Sequence, residues 1–127
     1  DAPILRAGEI YDSPIWVKQT VHPKGKACIT DFEILEEKGS YCLLKAIPRT
    51  GRMHQIRVHA LHVNLPIVGD KIYGGDDSCY LEFINTGWSK TLQSKLILPR
   101  QALHCRKMQL SKLESWEAPV PIEFKRF

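Results

Sequence analysis

Side chains alternate in strand fashion over two neighbouring stretches, residues 26–35 and residues 41–47. A period of two residues, with β-branched side chains among them, is typical of a strand. The stretch between them, residues 36–40, is polar and contains Gly39, as expected of a turn. The pattern therefore predicts an antiparallel β-hairpin.

The next stretch has a helical period, because apolar side chains fall on one face between residues 53 and 63. That face is predicted to pack on the hairpin, and it contains Met53, Ile56, Ala60 and Val63. Three polar side chains form another face, namely Gln55, His59 and His62. His54 and Arg57, three residues apart, are neighbours on the helix surface.

The rest of the chain predicts shorter elements. Two short helices are expected at residues 79–87 and 90–96, a strand at 102–110, and a last short strand near Trp116. Residues 1–25 are rich in Pro and Gly and predict an irregular lead-in, with a short strand at residues 15–17. The fold class is therefore α+β, a mostly antiparallel sheet with a few packed helices.

Composition limits the possibilities without choosing among them. The 127 residues suit one domain, and the net charge of +4 allows a nucleic-acid partner without requiring one. No apolar stretch approaches the roughly 18 residues of a membrane span, and no signal-peptide pattern opens the chain. The four cysteines form no CxxC pair, which argues against a zinc knuckle and predicts reduced thiols in an intracellular protein.

The densest chemical signal is at residues 49–59, where three arginines and two histidines surround the predicted helix start. Free backbone N–H groups and the helix dipole favour an anion there, and a guanidinium binds phosphate or carboxylate with two donors. This predicts a site for a phosphodiester, a phosphorylated small molecule or a partnered carboxylate. The alternative is that these side chains are solvated or form structural ion pairs.

Four segments together resemble the RluA-like family of RNA pseudouridine synthases. Residues 50–59, TGRMHQIRVH, resemble the family's TGRTHQIRVH, with Met53 in place of Thr. Residues 66–74, PIVGDKIYG, are similar to its PIVGDxxYG. Residues 100–104, RQALH, resemble its RxALH, although Cys105 replaces the following Ala, and residues 118–121 match its terminal APLP closely. The segments occur in the family's order and spacing.

The resemblance implies an enzyme that flips a uridine out of structured RNA, either rRNA or tRNA, and isomerises it to pseudouridine. It implies no metal and no organic cofactor. The family's catalytic Asp lies in an upstream HRLDxxTSG-type segment that this sequence does not contain. Residues 26–127 are therefore expected to be the C-terminal half of the catalytic domain, and residues 1–25 to continue from a missing upstream half. Such a piece is expected to be inactive alone and to dimerise through an exposed sheet edge.

The resemblance also implies roles for individual residues. Arg57 corresponds to the arginine that pairs with the catalytic Asp. Residues expected to border the substrate are Arg52, His54, Gln55, Tyr73 and Leu103. Residues expected to contact RNA phosphates are Arg49, Lys71 and Arg100. Asp70 is expected to have a structural role in a turn.

Two other functions remain open. One is a non-catalytic RNA-binding module that kept the basic cleft and lost the aspartate. The other is a small protein that binds a phosphorylated metabolite at the helix start near Gly51. None of these three functions is expected to involve a membrane.

Overall fold

A computed structural model of the chain describes residues 1–126 and shows an α+β fold. In chain order the elements are β1 (Ile4–Arg6), β2 (Gln19–Val21), β3 (Thr30–Lys38), β4 (Tyr41–Pro48), α1 (Gln55–His62), α2 (Asp77–Thr86), α3 (Lys90–Leu96), β5 (Lys107–Gln109) and β6 (Ser115–Glu117). Short 3-10 helices follow β1, at Ala7–Glu9, and close the described part of the chain, at Ile122–Arg126. The strands form three separate antiparallel pairs, β1–β2, β3–β4 and β5–β6.

The predicted hairpin is confirmed as β3–β4. Its register runs from Thr30 opposite Pro48 to Lys38 opposite Tyr41, with a bulge between Ile34 and Glu36. Gly39 turns the chain with φ 59°, a conformation that costs glycine little. Since β3 and β4 pair only with each other within residues 1–126, each strand has one unpaired edge.

The strand predicted at residues 15–17 is wrong. The chain turns there, because the N–H of Lys18 donates to the carbonyl of Ile15 at 3.0 Å. The strands of this region lie on either side of that turn, as β1 and β2. The turn sends Ile15 into the core, 1% exposed, and leaves Trp16 76% exposed. Residues 15–17 are a short run of β-branched and aromatic side chains, and a run of that length does not distinguish a strand from a turn.

Side chains that are far apart along the chain meet in one apolar core. Its members are Ile4, Ile15, Cys28, Val58, Ile72 and Tyr73. Residues 1–25 thus contribute Ile4 and Ile15 to the packing around α1. The domain boundary at residue 25 stays a prediction.

The predicted helix exists as α1, and of its predicted buried face Ala60 is confirmed, whereas both ends of that face are wrong. Met53 and Val63 are exposed, at 59% and 47%, whereas Gln55 and His59 are each only 4% exposed. The two polar side chains are buried because each is fully hydrogen-bonded, which removes the penalty of burying it. Val58 and Ala60 complete the buried surface.

The helices predicted at residues 79–87 and 90–96 are confirmed as α2 and α3. Asp76 caps α2 by accepting from the N–H of Ser78, and Ser89 caps α3 by accepting from the N–H of Leu92. Of the strand predicted at residues 102–110, only Lys107–Gln109 forms, paired with β6 around Trp116. Across residues 1–126, the helices are too short and too polar to traverse a bilayer.

All four cysteines are free. Cys28 and Cys79 are buried, Cys42 is half-buried and Cys105 is exposed.

Candidate active site

The start of α1 is shaped by a left-handed residue. His54 has φ 55° and ψ 15°, a left-handed conformation that is uncommon outside glycine, although histidine adopts it more often than most residues, as asparagine and aspartate do. It separates the arginine-rich segment from the helix and turns that segment back over the first helical turn. Backbone strain of this kind persists where surrounding contacts fix it and is concentrated at functional sites.

Gln55 holds the segment in place through four hydrogen bonds. Its Oε1 accepts from the Thr50 hydroxyl at 2.8 Å and from the Arg52 N–H at 3.0 Å. Its Nε2 donates to the Ile29 carbonyl at 2.8 Å and to the Thr30 hydroxyl oxygen at 2.9 Å. Both amide donors are occupied, so this side chain joins the hairpin to the helix start. Its proposed contact with substrate stays a prediction.

Arg57 lies two residues further on, in the first turn of α1, and forms a two-donor ion pair with Asp70. The Arg57 Nε donates to Oδ2 at 2.7 Å, and Nη2 donates to Oδ1 at 2.8 Å. The Asp70 side chain is completely buried, whereas the Arg57 side chain is 13% exposed. Asp70 Oδ1 also accepts the backbone N–H groups of Ile72 and Tyr73 at 3.0 and 3.1 Å. The carboxylate thus both orders its own turn and orients the guanidinium.

The electrostatics of the pair keep both partners charged. Burial opposes ionisation of Asp70, but the hydrogen bonds and charge of Arg57 outweigh it, so the pKa of this carboxyl is lowered. Burial likewise opposes the charge on Arg57, and Asp70 reverses that effect and raises its pKa. The result is a fixed cation beside a helix start.

Tyr73 connects this pair to His54. The Arg57 guanidinium carbon lies 4.9 Å from the Tyr73 ring centroid, and the Tyr73 hydroxyl lies 2.9 Å from His54 Nδ1. The same hydroxyl accepts the N–H of Gln19 at 2.9 Å. Burial raises the pKa of Tyr73 to about 12. Burial and the nearby Arg57 charge lower the pKa of His54, so the imidazole is favoured in its neutral form.

His54, Arg57, Asp70 and Tyr73 form one cluster. The residues predicted to contact phosphates lie outside this cluster and have partners of their own. Arg49 forms an exposed ion pair with Asp31 at 2.6 Å, and Arg100 forms one with Glu123 at 3.1 Å. Lys71 donates to the Pro99 carbonyl and lies 4.3 Å from the centroid of Phe83. Exposed pairs exchange readily for other anions, whereas the Lys71 ammonium is held against aromatic rings.

Arg52 and Leu103 lie in different surroundings. Arg52 is exposed, and its Nε donates to the Ala27 carbonyl at 3.2 Å. Leu103, 37% exposed, lines an apolar cleft of about 660 Å³ together with Ile56 and Val68. Gly69, directly before Asp70, lines the same cleft, so the cleft adjoins the ion pair.

The sequence analysis did not predict the main contacts of two residues, Asp70 and His59. Asp70 was assigned a turn, and the turn is there, but its second partnership with Arg57 did not follow from local spacing. His59 was placed on a polar face, yet its Nδ1 lies 2.9 Å from the Thr30 hydroxyl and its Nε2 2.8 Å from the Ala2 carbonyl. Its position four residues after Gln55 was the available signal, since both side chains reach the hairpin.

Three curated proteins with similar sequences share one name. The chain is 34% identical to ribosomal large subunit pseudouridine synthase D of Pasteurella multocida over 132 residues, which is 95% of this chain and 40% of that protein. It is 34% identical to the Pseudomonas aeruginosa protein of that name over 133 residues, with the same shares. For the Escherichia coli K12 protein the identity is 38% over 129 residues, 92% of this chain and 38% of the relative.

A scan against protein-family models finds no match. The chain spans about 40% of the length of the first two curated relatives. The similarity to these relatives nevertheless extends over nearly the whole of this chain. The name of the relatives agrees with the family that the four segments indicate. The chain belongs to the RluA-like family of RNA pseudouridine synthases, and it matches the C-terminal part of its relatives.

Proposed function

We propose that this chain forms one wall of the active site of an RNA pseudouridine synthase, and that Arg57 binds a catalytic carboxylate supplied by another part of the protein. The chain alone is then expected to bind RNA without isomerising it. The observation that carries the proposal is the geometry of Arg57, which is ion-paired, oriented and still partly open.

A guanidinium has five N–H donors, and Asp70 engages two of them. Three donors therefore remain for a second carboxylate. Because Asp70 already fixes the plane of the group, a second carboxylate would meet donors in a set direction and lose little entropy on binding. A lysine could not replace this arginine, since one ammonium cannot present two parallel donors to each of two carboxylates.

The substrate pocket is proposed to lie between this cluster and the apolar cleft. Leu103 supplies an apolar surface for a flipped base, while the neutral imidazole of His54 and the hydroxyl of Tyr73 supply polar groups at its edge. Arg52 is proposed to border the same pocket. Arg49 and Arg100, with exposed ion pairs, are proposed to exchange their carboxylates for RNA phosphates, and Lys71 is proposed to contact phosphate from its aromatic surroundings.

The RNA is proposed to be ribosomal, because the relatives are named for the ribosomal large subunit. Transfer RNA is the other candidate. The protein is proposed to act inside the cell, in the cytoplasm, where that RNA is found and where free thiols such as its four cysteines stay reduced.

The test uses the complete protein that contains this chain, with RNA tritiated at uracil C5. Pseudouridine formation replaces the C5–H bond with the glycosidic bond, so turnover releases tritium to water. We expect Arg57→Ala to lower kcat by at least about a hundredfold, the scale of losing one preorganised electrostatic group. RNA affinity should fall much less, and Arg57→Lys should also fail.

Arg49→Ala is the matched control, because it removes an exposed arginine from the same segment. It should weaken RNA binding and reduce its salt dependence while leaving kcat at saturating RNA nearly unchanged. Comparable losses of kcat and affinity in Arg57→Ala would contradict the assigned role. Circular dichroism of each variant separates these effects from unfolding, since Arg57 also neutralises buried Asp70.

We also propose that the isolated chain dimerises through an edge of the β3–β4 hairpin. Within the described residues neither strand has a second partner, and large apolar side chains on the hairpin are exposed, including Ile34 at 52% and Leu35 at 50%. An unpaired edge with exposed apolar side chains is a template for strand addition. Sedimentation equilibrium should show a concentration-dependent dimer that Ile34→Lys weakens, whereas Ile84→Lys, in α2, should leave it intact. A monomer at every concentration would disprove this proposal.

A further inference from the structure

An exposed tryptophan, Trp16, lies three residues before Gln19, whose N–H binds the Tyr73 hydroxyl. Trp16 is 76% exposed, although the turn that carries it buries its neighbour Ile15 almost completely. The Arg6 guanidinium carbon lies 3.8 Å from the Trp16 ring centroid, which places the guanidinium over one face of the indole. With that exposure, the other face of the ring is open to solvent.

The arrangement has the form of a stacking platform. An indole backed by a guanidinium is held flat by the cation–π contact, so less rotational freedom is lost when a second planar group stacks on it. Single-stranded nucleic acids are bound in this way, with bases stacked on aromatic side chains and arginine adding its charge. An open cleft of about 450 Å³, lined by residues from Arg6 to Trp16, adjoins the ring.

The charges around the platform favour a base over a phosphate. Glu9 Oε1 lies 3.8 Å from the Arg6 Nε, and Asp12 lines the same cleft. A phosphate there would approach two carboxylates. The face of a nucleobase carries no charge and meets no such repulsion.

The platform is tied to the candidate active site by the backbone. Gln19, whose N–H binds the Tyr73 hydroxyl, pairs directly with Arg6 across β1 and β2. Trp16 precedes Gln19 by three residues, a span of about 10 Å at most. A single strand with one base at Tyr73 therefore needs only a few nucleotides to reach Trp16.

We propose that Arg6 and Trp16 bind an unpaired base of the substrate RNA that lies close in sequence to the uridine entering the site. This inference rests on the proposed function, since it takes RNA as the ligand. It assigns to this surface the recognition of a base next to the target, by stacking on Trp16.

The test measures binding of the 127-residue chain to a short, fluorescein-labelled oligouridylate by fluorescence anisotropy. Trp16→Ala is expected to weaken binding by about five- to a hundredfold, the range for losing one base–aromatic stack. The dependence of affinity on salt should not change, because no phosphate contact is lost. Trp16→Phe should recover part of the affinity.

Trp116→Ala is the matched control, since Trp116 is 54% exposed and lies in β6. It should bind as the wild type does. An abasic strand with the same phosphates provides the second control: wild type should prefer the oligouridylate, and Trp16→Ala should lose that preference. Wild-type binding with an unchanged affinity in Trp16→Ala would overturn the inference and leave the proposed function standing. A wild-type chain that binds no RNA would overturn both.

Discussion

Removing the charge of Asp70 is the most direct perturbation of the site. Asp70→Asn keeps the shape of the side chain and an oxygen that can still accept the N–H groups of Ile72 and Tyr73. It replaces Oδ2 with an amide nitrogen, which would then face the Nε–H of Arg57 across a distance that is now 2.7 Å. Two donors would oppose each other beside a guanidinium that has lost its counterion.

The magnitude follows from burial. Both partners are removed from water, with side-chain exposures of 13% for Arg57 and 0% for Asp70. Breaking a buried pair by neutralising one partner costs about 3–5 kcal/mol, and the oxygen that remains reduces this to about 3 kcal/mol. That is a large share of the roughly 5–15 kcal/mol that stabilises a typical domain. Asp31→Asn, which neutralises the exposed pair with Arg49, should cost less than about 1 kcal/mol.

The assay is urea denaturation at neutral pH, followed by circular dichroism. With a slope of about 1–3 kcal/mol per molar urea, Asp70→Asn should lower the midpoint by at least about 1 M. The double variant Arg57→Met/Asp70→Asn should be more stable than Asp70→Asn, because it removes the uncompensated charge. Equal midpoints for Asp70→Asn and Asp31→Asn would refute the reasoning.

The same pair predicts a dependence on pH. The pKa of Asp70 is lowered in the folded protein from its ordinary value of 3.8, so its contribution to stability is present above that value. The contribution is lost as the pH falls through the folded-state pKa. Wild type should therefore lose more stability than Asp70→Asn in this acid range, and the two curves should converge there. Parallel curves would contradict the lowered pKa.

Three further predictions concern stability. Tyr73→Phe should cost about 1–2 kcal/mol, because the Gln19 N–H and the His54 ring lose a hydrogen-bond partner, and an unchanged urea midpoint would contradict that. Gln55→Ala should cost about 2–3 kcal/mol, since the buried Gln55 amide makes four hydrogen bonds, and a cost below about 0.5 kcal/mol would show that these bonds do not hold the helix start. Ile97→Gly should stabilise the protein by about 0.5–1 kcal/mol, because glycine adopts the φ of 68° at this position without strain. The same change at Ile84, which is exposed and lies in α2, should destabilise the protein. Thermal unfolding measures both effects.

The hairpin and the helices could be predicted because their signals are local. Alternation over residues 26–47 and helical spacing after residue 53 depend only on neighbours along the chain. The strand at residues 15–17 and part of the buried face of α1 were predicted wrongly for one reason, which is that burial of a side chain depends on distant partners. Ile15 is buried against the core, and Gln55 is buried because β3 and the residues before it supply its partners.

The sequence by itself determined the family and the residues around which a site could form, because the four motifs specify side chains in a set order. Only the tertiary structure decided how those side chains combine. Arg57 and Asp70 are thirteen residues apart, and Gln19 and Tyr73 are separated by fifty-four, so no periodicity relates them. Their hydrogen bonds exist because the core brings β1, β2 and α1 together, and burial then makes the charge of each group depend on its partner.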